Sequence, residues 1–249
     1  MHNDSPTEFE MEVDVLVIGA GGCGLVAAIA ADEGGASTAV IEKQARLSGN
    51  TALSSGSIPG AGSRLQAQAG LTDSAELYTE DLLRVSGPHE AEALARRLAG
   101  LSAELIEWLV DTAHVSLTLV TGYRHVGHSV IRLHAPPSRT GQALIDDLAA
   151  EVARRGIPLA LGQPVSDLIV RDGRVVGAVT RNRGGESRIG ARAVVLATNG
   201  FGGAPDLVAA HCSDAAGATY AGATGSTGEA LRWGLELGAR TANLEAYQG

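Results

Sequence analysis

Residues 13–24 read VDVLVIGAGGCG and run directly into the alanine-rich segment 25–31. A short apolar strand, 15–18, ends in Gly19-Ala20-Gly21-Gly22-Cys23-Gly24, the spacing G-x-G-x-x-G, and the segment that follows predicts a helix. Each glycine answers a geometric demand. Gly19 lets the strand turn sharply, Gly21 removes a side chain so that a pyrophosphate reaches the backbone, and Gly24 lets the helix pack closely on the strand. The N–H groups and positive dipole at the helix start favour an anion. A second apolar segment, 38–41, ends on Glu42, 23 positions after Gly19. A carboxylate there accepts hydrogen bonds from a ribose and repels a 2′-phosphate. Taken alone the motif also suits an ordinary βα turn. The full order of strand, turn, helix, strand and acid points to a bound dinucleotide and leaves its kind open.

Composition narrows the classes. With 45% hydrophobic and 19% charged residues the chain reads as a soluble globular protein, and its 249 residues can bury a substantial core. Its 33 glycines, nearly twice the usual share of about 7%, cluster between apolar segments, as suits backbone packed on a large ligand. A net charge of −9 argues against nucleic acid and anionic membrane surfaces, and 3% aromatics are too few for base-stacking platforms. No run approaches the roughly 20 apolar residues that span a bilayer, so no membrane insertion is expected. Residues 1–12 are polar and acidic, unlike a secretory or transit signal, and read as a frayed lead-in; a cytoplasmic location is expected. The two cysteines, Cys23 and Cys212, read as reduced thiols and cannot hold an iron–sulfur cluster. Electrons must then travel through an organic cofactor or a separate partner.

Further along, residues 47–62 (LSGNTALSSGSIPGAG) suit either a flexible linker or, the reading preferred here, a loop that wraps a cofactor. Asp73 with Glu76 resembles a capping box opening a helix to about Val85, and Gly87-Pro88 breaks it. Leu94, Leu98, Leu101, Leu105 and Trp108 recur at spacings of three and four and predict the buried face of a long helix. Residues 115–134 carry Arg124, His125, His128, Arg132 and His134 without the tight spacing of metal ligands, and no metal is expected. A basic wall toward an anionic substrate and a solvated edge both stay open. An amphipathic helix over 140–155 buries Leu144, Leu148 and Val152 and stops at Gly156. Strands follow at 158–161, 165–171 and 174–181, the last two joined by the hairpin signal Asp172-Gly173, with another near 185–189. The apolar strand 193–197 meets a second glycine turn, Thr198 to Gly203, and the glycine-rich segment 217–228 leads into a helix over 229–237.

Together VDVLVIGAGGCGLVAAIAA, the acid in VIEK, SGNTALSSGS, LIVRDGRVVGAVT and AVVLATNGFGG resemble the FAD-dependent fumarate reductase/succinate dehydrogenase flavoprotein family, which includes tricarballylate and 3-ketosteroid dehydrogenases. The resemblance runs from about Val13 to the last residue. It implies that Gly19, Ala20, Gly21, Gly22, Cys23 and Gly24 hold the FAD pyrophosphate and that Glu42, followed by Lys43, meets the adenosine ribose. Gly49, Asn50, Thr51, Ser54, Ser55 and Gly56 would run along the flavin, and the Val165 backbone would meet the adenine. Ala197, Thr198, Asn199 and Gly200 stand at the family's ATGG turn, and Thr227-Gly228-Glu229-Ala230 at its TGDG. Asn50 replaces the histidine that links FAD covalently in succinate dehydrogenases, so FAD is expected to be noncovalent. Asn199 tolerates the left-handed region that this turn needs. Glu229 keeps a carboxylate but is one methylene longer than the family's Asp.

The implied fold is α/β: a Rossmann-like FAD-binding domain over 13–249 with a parallel sheet, a β-meander at about 168–189 and a helical insert at about 72–112. The chain looks like an N-terminal portion that stops before the family's capping domain, where the catalytic residues lie, so none is assigned. The implied activity is hydride transfer between flavin N5 and a carbon–carbon double bond of a small carboxylate or enone substrate. A missing second half or an electron-transfer partner is implied with it. The alternatives are a non-catalytic FAD-binding module needing a second chain and an NAD-dependent dehydrogenase. The serine- and glycine-rich loop and the distant ATNG turn disfavour NAD.

Overall fold

The computed structural model describes residues 9–87 and 91–247. Met11–Ile18 (β1), Gly22–Glu33 (α1) and Thr38–Ile41 (β2) come first, then Asn50–Leu53 (α2), Ile58–Pro59 (β3) and Arg64–Gln68 (α3). Two longer helices follow, Ala75–Ser86 (α4) and Glu92–Asp111 (α5), then Thr118–Leu119 (β4), Leu133–Ala135 (β5) and Gly141–Arg154 (α6). Leu159–Ala160 (β6), Val165–Arg171 (β7), Arg174–Asn182 (β8), Gly185–Leu196 (β9), Pro205–His211 (α7) and Glu229–Glu236 (α8) complete the order. The chain divides into two compact units, one holding the residues up to Leu53 and from Ala149 on, the other Ser54–Leu148.

The first unit is built on one six-stranded sheet in the order β6-β2-β1-β9-β8-β7. β1 pairs in parallel with both β2 and β9, and β2 with β6, while β8 and β7 continue the sheet in antiparallel fashion. All of β2 is buried, as an interior parallel strand must be. The core gathers Leu16 and Ile18 of β1, Ala39 and Ile41 of β2, Ala178 and Ala191 from the meander and Trp233 of α8. The expected meander is therefore the continuation of the parallel sheet. Its two separately read strands near 185–189 and 193–197 form the single strand β9, which pairs with β8 through its first half and with β1 through its second. At the β7–β8 hairpin Asp172 and Gly173 take φ of 52° and 73°, the left-handed pair that the two-residue turn demands. Leu144, Leu148 and Val152 of α6 are buried and Gly156 follows it at φ 69°, as the spacing predicts.

Of the expected N-terminal lead-in, residues 1–8 lie outside the described residues, and Met11 and Glu12 already belong to β1. Pro88, half of the expected helix break, also lies outside them; Gly87 ends α4 at φ 71°.

The second unit contains a three-stranded antiparallel sheet, β3-β5-β4, with α3, α4 and α5. Three expectations are corrected here. Ser74 caps α4 by accepting from the Leu77 N–H, which releases Asp73 to another task. Helix α5 buries Ala99, Ser102, Ile106 and Leu109, whereas the leucines read as its core stripe are exposed. Finally, Arg132 and His134 are fully buried, so neither a basic wall nor a solvated edge describes them. Arg132 donates through Nε and Nη2 to both Asp73 oxygens, each at 2.9 Å, and through Nη1 to Asp81 Oδ2 at 2.6 Å. His134 Nε2 lies 2.7 Å from the buried Ser63 hydroxyl, and burial holds the ring below its ordinary pKa. Ser63 and Gln66 form a reciprocal capping box on α3.

Candidate cofactor site

The site lies wholly within the first unit, at the carboxyl ends of β1, β2 and β9. Sheets of this kind bind ligands at that edge. The Gly19 N–H donates to Ile41 O at 2.8 Å and the Ala197 N–H to Ile18 O at 2.8 Å, so the three strand ends are stitched side by side. Gly19 turns at φ 106°, and a side chain there would collide with the Ala197 carbonyl. A Cβ at Gly24 would land on the Gly19 carbonyl oxygen, which is how closely α1 approaches the turn. A Cβ at Gly21, by contrast, would meet nothing within 4 Å. No side-chain hydrogen bond caps α1 at Gly21 and its first turn carries no acid, leaving its positive end facing the cavity.

Loops close around this turn. Thr51 accepts from the Gly22 N–H at 3.2 Å, and Asn50 accepts from the Ala223 N–H at 2.6 Å. Glu42 accepts from the Ala20 N–H at 2.9 Å and, through its other oxygen, from the Gln44 N–H at 2.8 Å. A carboxylate offers about four lone-pair sites, so hydroxyl donors can still be received there. At the second glycine turn Asn199 stands at φ 67°, its side chain accepting from the Gly200 N–H and donating to Ser226. The Gly203 N–H donates to Ser226 O at 2.8 Å, which ties the turn to the segment before α8.

Lys43 donates to Thr227 at 2.7 Å and to Glu229 Oε1 at 2.6 Å. Burial works against ionisation of Glu229, but the Lys43 and Thr227 hydrogen bonds outweigh it and hold the carboxyl below the usual range. Glu229 Oε2 and Thr198 Oγ1 are both buried and have no hydrogen-bond partner among the described residues. Both residues line the cavity. Orphaned polar atoms in a concave site mark where a ligand supplies the missing partner.

Most of the residues singled out from the sequence meet at this cavity: Gly19, Gly21, Gly22 and Cys23 from the first turn, Glu42 and Lys43 after β2, Gly49, Asn50 and Thr51 around α2, Val165 at the start of β7, Ala197, Thr198 and Asn199, and Glu229. Ala20, Gly24 and Gly200 shape the backbone without lining it, and Ser54, Ser55 and Gly56 belong to the other unit and do not line it. Sequence reasoning missed Gln44, Ser48, Gln163, Trp233 and the run Ala223 to Ser226. The glycine-rich segment 217–228 was a signal for that last run, since its proximity to a second turn is what such backbone serves. Among the described residues no group of His, Cys, Asp and Glu could hold a metal ion. No helix among them is long and apolar enough to cross a membrane.

A helix start behind a glycine turn, an acid ending the next strand and a second glycine turn beside the first define a dinucleotide-binding α/β domain. The model of the FAD binding domain family matches residues 14–249, and the chain belongs to that family. Its cofactor is FAD, and the resemblance carried by the motifs is borne out. Among its relatives, NADH:fumarate oxidoreductase of Klebsiella pneumoniae (strain 342) is 31% identical over 94% of this chain and 25% of that protein. The open form of a flavocytochrome c3 fumarate reductase superposes with a TM-score of 0.86 and 30% identity, covering 92% of this chain and 41% of the other. A 3-ketosteroid-Δ4-(5α)-dehydrogenase of Rhodococcus jostii RHA1 gives 0.87 and 29%, covering 97% and 57%. The chain thus spans between a quarter and somewhat over half of these relatives.

The residues present fit the cofactor. The open space over Gly21 and the acid-free first turn of α1 suit a pyrophosphate, and Glu42, Thr198 and Glu229 offer hydrogen-bonding atoms to the hydroxyl and N–H groups that FAD carries.

Proposed function

We propose that the chain is the FAD-holding part of an oxidoreductase that moves a hydride between flavin N5 and a carbon–carbon double bond of a carboxylate or enone substrate. The observation that carries this reading is the agreement of site and relatives. The cavity here fits FAD, and the relatives of this chain carry the names fumarate reductase, urocanate reductase, acrylate reductase and 3-oxosteroid 1-dehydrogenase, whose reactions share an alkene conjugated to a carbonyl or carboxyl group. Bound FAD supplies the hydride acceptor or donor. In this reading Gly19 to Gly24 hold the pyrophosphate, Glu42 receives the ribose, and Val165 lies beside the adenine. Gly49 to Thr51 and Ala197 to Gly200 orient the flavin, while Lys43 and Glu229 fix the wall between them. The residues that touch substrate belong to the whole protein, so a second half or an electron-transfer partner completes the reaction.

Two samples test the two parts. Purified chain is expected to show the visible absorption bands of flavin, and the whole protein that contains it, once reduced under nitrogen, to be reoxidised by an added enoate or 3-oxosteroid alkene. Bands without reoxidation favour the second reading, a binding module that needs another chain; no flavin uptake at all would overturn the cofactor assignment to these residues. Because Asn50 offers no histidine nitrogen for a flavin bond, acid precipitation should leave all flavin in the supernatant. Yellow colour in the washed pellet would contradict that.

A further inference from the structure

Helix α5 carries two apolar stripes, and the second unit uses only one. Ala99, Ser102, Ile106 and Leu109 are buried, with Ser102 accepting from the Ala61 N–H at 3.0 Å. Leu94, Leu98, Leu101 and Leu105 are 68%, 50%, 37% and 38% exposed. With Trp108 they are spaced four, three, four and three residues apart. That alternation is the heptad rhythm, with Leu98 and Leu105 at a positions and the others at d, and it describes a straight seam for a second helix. The stripe extends for roughly 20 Å along the helix at 1.5 Å per residue.

We propose that this seam is a self-association surface on which the α5 helices of two copies of this chain pack antiparallel about a two-fold axis. Charge selects both the partner and the direction. Arg97 and Glu104, seven residues apart, occupy successive g positions beside the leucines; both are exposed and neither makes an ion pair among the described residues. In an antiparallel pair the g positions of the two helices face each other. The alignment that places Leu98 on Leu101 of the second copy, and Leu94 on its Leu105, also places Arg97 against Glu104 of that copy. The two-fold axis repeats the pair in reverse, which is the self-complementarity an isologous contact requires. A parallel pair would instead set Arg97 toward Ser102, which α5 buries within its own unit. The seam also covers contiguous leucines, and a monomer seldom leaves a row of them in water.

Sedimentation velocity of the full 249-residue chain over a concentration series tests this. A reversible dimer at micromolar concentration is expected, with Leu101→Lys monomeric while still binding FAD. Arg97→Glu and Glu104→Arg should each weaken the dimer about tenfold, because each turns two attractions into repulsions, and the double swap should restore it to within about threefold. Three results would overturn the proposal: a monomer at about 100 µM, a dimer indifferent to Leu101→Lys, or a double swap as weak as the singles. The first of these would leave the leucines to a different occupant, such as a further segment of a longer chain or an unrelated helix.

Discussion

Gly21→Ala is expected to leave the fold untouched and remove FAD, while Gly24→Ala, three residues away, is expected to damage the fold itself. The two glycines lack a side chain for different reasons. Gly21 has φ −76°, a backbone that alanine adopts without strain, and an added methyl would meet no protein atom within 4 Å. The methyl would occupy the space over the start of α1 that a pyrophosphate must enter to reach the N–H groups. Unfolding of the FAD-free variant in urea should match wild type within about 0.5 kcal/mol, as for a substitution that touches nothing. Affinity for FAD, read by flavin fluorescence titration, should fall at least about 100-fold, or about 2.7 kcal/mol. At Gly24 the methyl would collide with the Gly19 carbonyl oxygen and come within 3.3 Å of the Ala197 side chain. Backbone cannot rotate away as a side chain can, so α1 must lift from the sheet, at about 3 kcal/mol or more. A Gly21→Ala chain that binds FAD as tightly as wild type would show that the ligand enters elsewhere.

Why one glycine turn could be read from the sequence and other parts could not follows from the range of the forces involved. The unit β1, turn, α1, β2 is decided within about 30 residues by glycine geometry and an apolar period, and β2 spans Thr38–Ile41 as its residues predict. The Asp172-Gly173 hairpin is equally local. Helix α5 was readable as a helix but not in orientation, because its two stripes have nearly the same period. Ala99 and Ser102, being small, let a neighbour approach, and only long-range packing shows that the unit uses that side. The burial of Arg132 was invisible for a related reason: its partners Asp73 and Asp81 lie 59 and 51 residues away. In the site, Ala223 to Ser226 are small residues brought in from far along the chain, and they carry no residue signature beyond their glycine.

Arg132→Met should cost the protein about 3–5 kcal/mol at pH 7, the loss typical of removing one partner of a buried ion pair. Arg132 is fully buried between two carboxylates that are buried as well. Asp81 also accepts from the Ser129 N–H and hydroxyl at 2.7 and 2.8 Å, and the Arg132 guanidinium lies 4.7 Å from the Tyr78 ring centre. Burial opposes ionisation of Asp81, yet the bonds from Ser129 and Arg132 prevail and lower it from 3.8 to about 2; Asp73 is lowered in the same way, chiefly by Arg132. A depressed carboxyl stabilises the fold above its unfolded pKa and loses that contribution as protons bind. Wild type should therefore keep the cluster's contribution at neutral pH and lose it as the pH falls from about 4 toward 2. In Arg132→Met the sign inverts. Without the guanidinium, two neighbouring buried acids rise in pKa, and keeping both charged at pH 7 costs stability. Relative to wild type the variant should thus gain stability from pH 7 to 5, the loss that buried His134 brings over that range being common to both. Urea unfolding followed by circular dichroism at the two pH values measures this. A loss below about 1 kcal/mol, or an equal loss at both pH values, would mean that the cluster is not the buried charge anchor its geometry describes.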